Sequence, residues 1–184
     1  MMEALSAWDR ELLLRLHLAG HEPWDTLMYY ATKSWVWTPL FAWWGYLLYR
    51  THGKKFFSWV VFTLLVVLLT DFICGQGLKP WVGRLRPSYE PSLRSHLHLV
   101  RGYTGGTYGF PSNHAANSAA MALSISLALR RGVAILIAVS WTVLHSYTRL
   151  YLGVHYPGDI LAGWVIGIAL TLLAYFAVKR KHIL

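Results

Sequence analysis

A single cysteine, Cys74, stands among 184 residues, so no intrachain disulfide can form and the redox compartment is left open. At the end of an apolar run it reads as inert packing. Acidic residues are also scarce: 8 Asp+Glu oppose 17 Lys+Arg, a net charge of +9. Such a surplus serves nucleic acid, anionic lipid or a phosphorylated substrate. Nucleic acid is disfavoured, because the cations form no stripe on a polar helix and no recognised binding motif accompanies them. The opening Met1-Met2-Glu3-Ala4-Leu5-Ser6 lacks the basic stretch and small-residue cleavage site of a secretory signal, so targeting is expected to rest on membrane spans. Internal repeats, low-complexity tracts and a dividing linker are missing too, which predicts one domain over residues 1–184.

What the chain has in quantity is apolar and aromatic side chains. Hydrophobic residues make up 55%, with 10 Trp and 11 Tyr, whose amphipathic rings favour the headgroup level of a bilayer. An all-α integral membrane protein is predicted, a bundle of five transmembrane helices preceded by an interfacial amphipathic helix over residues 1–20. The bundle has six crossings if that first helix spans. Leu5, Trp8, Leu12, Leu13 and Leu16 recur with helical spacing, but Asp9, Arg10, Glu11 and Arg15 on the other faces argue for a helix lying in the interface. The crossings are Trp24 to Tyr49, with Pro39 as a kink, Phe56 to Leu78, Ala115 to Leu129, Gly132 to Tyr147 and Ile160 to Val178. Residues 79–112 are too polar to cross and form a long loop. The short clusters Arg50/Lys54/Lys55, Arg130/Arg131 and Lys179/Arg180/Lys181 then share one side, which the positive-inside rule makes cytoplasmic. A bacterial-type inner membrane is implied, with the long loop facing the periplasm or outside.

The stretch Thr148-Arg149-Leu150-Tyr151-Leu152-Gly153-Val154-His155-Tyr156-Pro157-Gly158-Asp159 places a cation, an imidazole and a carboxylate between two apolar runs. Ionisable groups at that depth are costly and usually functional. If the next helix begins near His155, Asp159 lies one turn on along the same face, accepts one ring N–H and frees the other nitrogen to attack. Lys79 and Arg86 in Lys79-Pro80-Trp81-Val82-Gly83-Arg84-Leu85-Arg86-Pro87 fall on the same membrane side as Arg149. Arg supplies planar forks and Lys a point charge, a set suited to a phosphate dianion. Ser112 of Phe110-Pro111-Ser112-Asn113-His114 stands where a helix N-cap belongs, so backbone N–H groups can join it on the same anion. With His155 and His114 on opposite sides of phosphorus, the arrangement reads as in-line phosphoryl transfer through a phosphohistidine.

Lys-x6-Arg-Pro, Pro-Ser-x-His and Arg-x5-His-x3-Asp, in that order across residues 79–159, resemble the three signature motifs of the type 2 phosphatidic-acid phosphatase family. That superfamily also contains vanadium haloperoxidases and glucose 6-phosphatases. The resemblance implies that Lys79, Arg86, Ser112 and Arg149 hold the phosphate, that His114 is the acid/base, His155 the nucleophile and Asp159 its orienter. It implies a reaction without metal or other cofactor. The partners expected are a lipid phosphate substrate and the bilayer, with no nucleic acid and no obligatory protein partner. Two positions depart from the family pattern: Thr148 replaces a frequent Ser but keeps a hydroxyl, and Asn113 replaces a frequent Gly, setting a side chain near the phosphate.

Substrate candidates are undecaprenyl diphosphate, phosphatidylglycerol phosphate, phosphatidic acid and lipid A phosphates, with a family-level lean to the prenyl diphosphate. A phosphotransferase using the same histidine, and a non-catalytic lipid-binding or transport protein, are the rival readings. Around the motifs, His145 shares a face with Arg149 and reads as a buried histidine bonded to a neighbouring helix, with tuning of the site as the other reading. Asp71 is expected to pair with Lys79 or Arg149, and Arg84 to be an interface anchor or a fourth phosphate contact. Arg94, His96, His98 and Arg101 in the loop read equally as solvated or as headgroup contacts. Gly102, Gly105, Gly106 and Gly109 mark either a close approach to the site or a plain irregular loop.

Overall fold

A computed structural model describes residues 2–180, with side chains from Ser6 onward. Lys181 of the closing cationic cluster and the Leu5 side chain of the first helix therefore lie outside the described residues. The described chain is all-helical. Helix α1 spans Met2–Leu16 and α2 spans Trp24–Ala31. A 3-10 turn at Ser34–Trp37 leads into α3, Thr38–His52. Pro39, predicted as a kink, lies instead in the first turn of α3, where its missing N–H costs nothing and its fixed φ starts the helix. A tight turn at Gly53–Lys55 reverses the chain into α4, Phe56–Phe72. That helix runs on without a break through a π-helical stretch, Ile73–Leu78, into α5, Lys79–Val82. Such π turns are rare and recur at functional sites. After α6, Pro91–Arg94, the long helices α7 (Asn113–Leu129), α8 (Gly132–Tyr151) and α9 (Pro157–Lys179) complete the bundle.

Helix α7 is the hub, packing against α4, α8 and α9. It is rich in Ala and Ser, and α9 meets it through Gly163 and Gly167. A Cβ at Gly163 would lie 2.6 Å from the Ser112 carbonyl oxygen, so only glycine allows this approach. One apolar core, around Trp44, Trp59, Phe62, Ile125 and Trp141, fills the end of the bundle away from the motifs. Another, of Leu13, Leu93, Leu97, Leu150, Tyr156 and Ile160, joins α1 and the loop to the ends of α8 and α9. Outside, Leu65, Leu68, Val165 and Leu173 are more than 60% exposed, which suits a protein whose solvent on that face is lipid.

Among the described residues, three stretches are long and apolar enough to cross a membrane: Ser34–Val82, which holds both α3 and α4, Gly132–Tyr151 and Pro157–Lys179. This is an integral membrane protein with an all-helical fold. The fourth apolar run extends past its expected end, so Thr148 and Arg149 belong to the last turns of α8.

The long loop is pinned rather than free. A short antiparallel bridge pairs Leu85 with Tyr108, and Arg86 N donates to Thr107 O (3.0 Å) while Gly109 N donates to Arg84 O (2.8 Å). His98 and Arg101 are drawn to α2: His98 Nε2 lies 3.2 Å from Asp25 Oδ2, and Arg101 donates to Tyr30 and Thr26. Their partners are thus protein side chains.

Candidate active site

The three motifs converge at one end of the bundle. Ser112 caps α7, its hydroxyl accepting from Ala115 N (3.5 Å), and Ser112 N donates to Asp159 O (3.0 Å), which ties the second motif to the third. Helix α9 begins at Pro157, two residues later than the spacing of His155 and Asp159 had implied. Proline at the first turn sets that start, and Asp159 then folds back over the helix N-terminus, where Tyr156 N donates to its Oδ2 (3.0 Å). The same Oδ2 lies 3.2 Å from His155 Nδ1, so the expected pair forms with the imidazole just outside the helix. With Nδ1–H donating, Nε2 keeps its lone pair. His155 is 1% exposed and Asp159 is fully buried.

Three cations gather around this pair. Lys79 Nζ donates to Pro111 O (2.6 Å) and Gly109 O (3.4 Å), and Arg86 Nε to Tyr108 O (3.1 Å), so both are aimed by loop carbonyls. Arg149 is 1% exposed; it donates to Thr32 Oγ1 and to Tyr103 OH (3.1 Å), and its Nε finds no partner among the described residues. A buried guanidinium with an unpaired donor is poised for an anion. Burial, and then the charges of Arg86, Arg149 and Lys79, hold the His155 imidazole well below its usual titration range, hence neutral at pH 7. Burial, and then the nearby Arg149, lower Arg86 to about 10.

Gly105 and Gly109 explain two of the four loop glycines. Gly105 has φ +67°, and a Cβ there would touch the Arg86 guanidinium; a Cβ at Gly109 would sit 3.0 Å from Asp159 Oδ2. The loop therefore closes over the site at both positions. Gly102 and Gly106 have open space around them.

His114, in the first turn of α7, lies within electrostatic reach of His155, Arg149 and Arg86. Its ring stacks on His145 (centroids 5.3 Å), which stacks in turn on Trp141 (5.3 Å). His145 Nδ1 is bound to Ala31 O at 3.3 Å, as expected of a histidine bonded to a neighbouring helix, and it also backs His114.

Two expectations are corrected. Asp71 pairs with neither Lys79 nor Arg149: its Oδ1 accepts from Asn113 Nδ2 and Asn117 Nδ2, both at 2.8 Å. The first two turns of α7 face α4 with two amides four residues apart, and these reach Asp71. Arg84 is committed to two carboxylates that neither of its expected roles included. It donates from Nη1 to Asp159 Oδ1 (2.8 Å) and from Nη2 to Asp9 Oδ2 (2.6 Å), and lies over the Tyr156 ring. Asp9 also accepts from Gly158 N (2.7 Å). Asp9, Thr32 and Tyr103 had no local signal in the sequence, since each reaches the site from a different element.

The site is thus a buried His–Asp pair under converging cations, at one end of a helical membrane bundle. Comparison with known proteins gives the family. The PAP2 superfamily model matches residues 59–183, and the chain belongs to that superfamily. It is 41% identical over 170 residues to a lipid A 4'-phosphatase of Bacteroides thetaiotaomicron, covering 91% of this chain and 75% of that one. It is 32% identical over 180 residues to a lipid A 4'-phosphatase of Porphyromonas gingivalis, covering 95% and 74%. In fold it matches the crystal structure of a transmembrane PAP2-type phosphatidylglycerolphosphate phosphatase from Bacillus subtilis, with a TM-score of 0.69 at 23% identity over 96% of this chain and 87% of that one.

Proposed function

We propose that this protein is a phosphatase of saccharide-bearing lipid phosphates of the lipid A class, working through a phosphohistidine. Its family makes it an enzyme, a hydrolase acting on lipid phosphates. The lipid A preference rests on the names of the two relatives above and displaces the earlier lean to a prenyl diphosphate. The observation that carries the mechanism is the buried His155–Asp159 pair under the charges of Arg86, Arg149 and Lys79.

In this reading Lys79, Arg86, Arg149 and the Ser112 end of α7 bind the phosphate oxygens. The Nε2 lone pair of His155 forms a P–N bond while the P–O bond to the lipid breaks, and His114, which takes up its proton once the phosphate dianion is bound beside it, donates that proton to the departing oxygen. Water then attacks phosphorus, its proton passes to His114, the P–N bond breaks and inorganic phosphate leaves. Asp159 keeps the His155 tautomer and offsets the charge that develops on its ring. The site lies at one surface of a five-crossing bundle in a bacterial inner membrane, facing the periplasm, with α1 resting at the interface. Lipid tails stay in the bilayer while the headgroup reaches the cations.

The test is phosphate release by the purified protein in detergent from lipid A, phosphatidylglycerol phosphate, phosphatidic acid and undecaprenyl diphosphate. Turnover of lipid A is expected. Free phosphate identifies a hydrolase; a newly phosphorylated lipid in its place identifies a transferase and would revise the second step. Because three cations and a helix terminus neutralise the phosphate, activity is expected to persist in EDTA. Loss in EDTA with rescue by Mg²⁺ would overturn the metal-free mechanism.

A pH profile tests the electrostatics. The depressed His155 value means the nucleophile stays neutral at pH 6.5, so the acid limb of kcat/KM lies below that. Arg86→Met removes a charge that disfavours imidazolium; the His155 value should rise and the acid limb should move to higher pH than in the wild type. Substrate ionisation is common to both enzymes, so the difference isolates the protein group. An unmoved limb would refute the assignment.

A further inference from the structure

Helices α3, α4, α7 and α8 enclose a cavity of about 360 Å³ that has His114 in its wall. Its apolar side is Phe41, Val67, Met121 and Trp141; Asp71, Asn113 and Asn117 form one polar face, and Ser34, Ser118 and His145 complete the lining. Asp71 is exposed, although it sits near the end of the otherwise uncharged α4. A carboxylate in such a helix calls for a function or a partner. Its partners are known and neutral: both amides donate to Oδ1, and Oδ2 takes no hydrogen bond from the described protein. A carboxylate only accepts, so each amide must turn its NH2 toward Asp71 and its carbonyl oxygen elsewhere; those two oxygens also lack partners among the described residues. The polar wall beside His114 therefore carries a negative charge and surplus acceptors, opposite in sign to the cation cluster around His155.

We infer that this cavity is the leaving-group site, and that Asp71 with Asn113 and Asn117 selects a neutral saccharide bearing hydroxyl or amide N–H donors while rejecting a leaving group that is itself a phosphate. The inference rests on the in-line reading above, in which the alcohol departs on the side of His114. Hydroxyl and amide donors of a sugar match an acceptor wall, and the apolar side accommodates the ring faces and first acyl carbons. A diphosphate substrate would bring a second anion toward Asp71, where no Lys or Arg lines the wall among the described residues, and repulsion would tell against that transition state. Asn113 gains a role here: where the family frequently has glycine, its side chain anchors the carboxylate.

The experiment compares kcat/KM for lipid A and for undecaprenyl diphosphate in one detergent, using full-length wild type, Asp71→Asn and Asn117→Asp. Wild type should favour lipid A. Asp71→Asn removes the charge and should shrink that preference at least tenfold, chiefly by raising turnover of the diphosphate; Asn117→Asp adds charge and should widen it. A wild-type preference for the diphosphate, or a preference that stays within twofold in both variants, would overturn the inference and leave the phosphatase reading intact. If only one variant folds, its direction alone decides. Wild type that releases no phosphate from either lipid would overturn both the inference and the reading beneath it.

Discussion

Replacement of His155 by alanine is expected to abolish phosphate release, by on the order of 10⁴-fold or more, with little loss of fold. The size follows from the role: without a nucleophile the enzyme retains only what substrate binding and electrostatics supply. The intact fold follows from the neighbours. Asp159 keeps Tyr156 N on Oδ2 and Arg84 on Oδ1 when the imidazole is gone, so no buried charge is orphaned. The cost is then mainly that of a cavity in a buried site, about 2–4 kcal/mol. Rapid quench with ³²P-labelled lipid should trap an acid-labile, base-stable protein label in the wild type and none in the variant. Phosphate release at wild-type rate from the alanine protein would refute the nucleophile assignment, and release at a low rate without label would point to direct attack by water.

That Lys79, Arg86, Ser112, His114, Arg149, His155 and Asp159 come together was legible because three spaced motifs carry them. What the spacing could not convey is how the chain delivers them. Asp159 was matched to His155 as an i+4 pair within one helix, yet Pro157 starts α9 between them and the contact is made across the N-terminus. Pro39 misled in the same way, read as a kink when it begins α3. In both cases proline at the first turn was the available signal. Asp71 was assigned to a cation by charge alone, because nothing in a linear pattern tells which face of α4 meets the amides of α7. The apolar runs located α4, α7, α8 and α9 with boundaries off by a few residues, but the expected first crossing, Trp24 to Tyr49, is broken into α2, a 3-10 turn and α3, and the π stretch at Ile73–Leu78 left no mark in the hydropathy. The loop glycines left a close approach to the site and a plain irregular loop equally open, and the pairing of Leu85 with Tyr108 and the closure of Gly105 and Gly109 over Arg86 decide for the approach at those two positions.

Arg84 carries the other large effect, and its carboxylate partners were missed for a related reason: it occupies an unspecified position of the first motif, and one of its partners, Asp9, lies on the first helix. The guanidinium joins Asp9 to Asp159, and Asp159 contacts His155, so α1 is linked to His155 by two ion pairs and one hydrogen bond to a neutral imidazole. Asp9 is 4% exposed and Asp159 fully buried. Arg84→Met would leave both carboxylates without their cation. Breaking a buried pair costs about 3–5 kcal/mol; the side chain of Arg84 is 26% exposed, so about 2–3 kcal/mol is the better expectation. Thermal unfolding in detergent should read this as a clear drop in Tm. Activity should fall as well, because an unbalanced Asp159 favours imidazolium at His155 and moves the acid limb of kcat/KM to higher pH. Asp9→Asn keeps the Arg84–Asp159 contact, so it should lose stability with little change in that limb. The double variant should cost less than the sum of the singles, since the two changes disrupt one shared contact. Full additivity, or an acid limb unmoved in Arg84→Met, would mean that Arg84 only fastens α1 and that Asp159 orients His155 unaided.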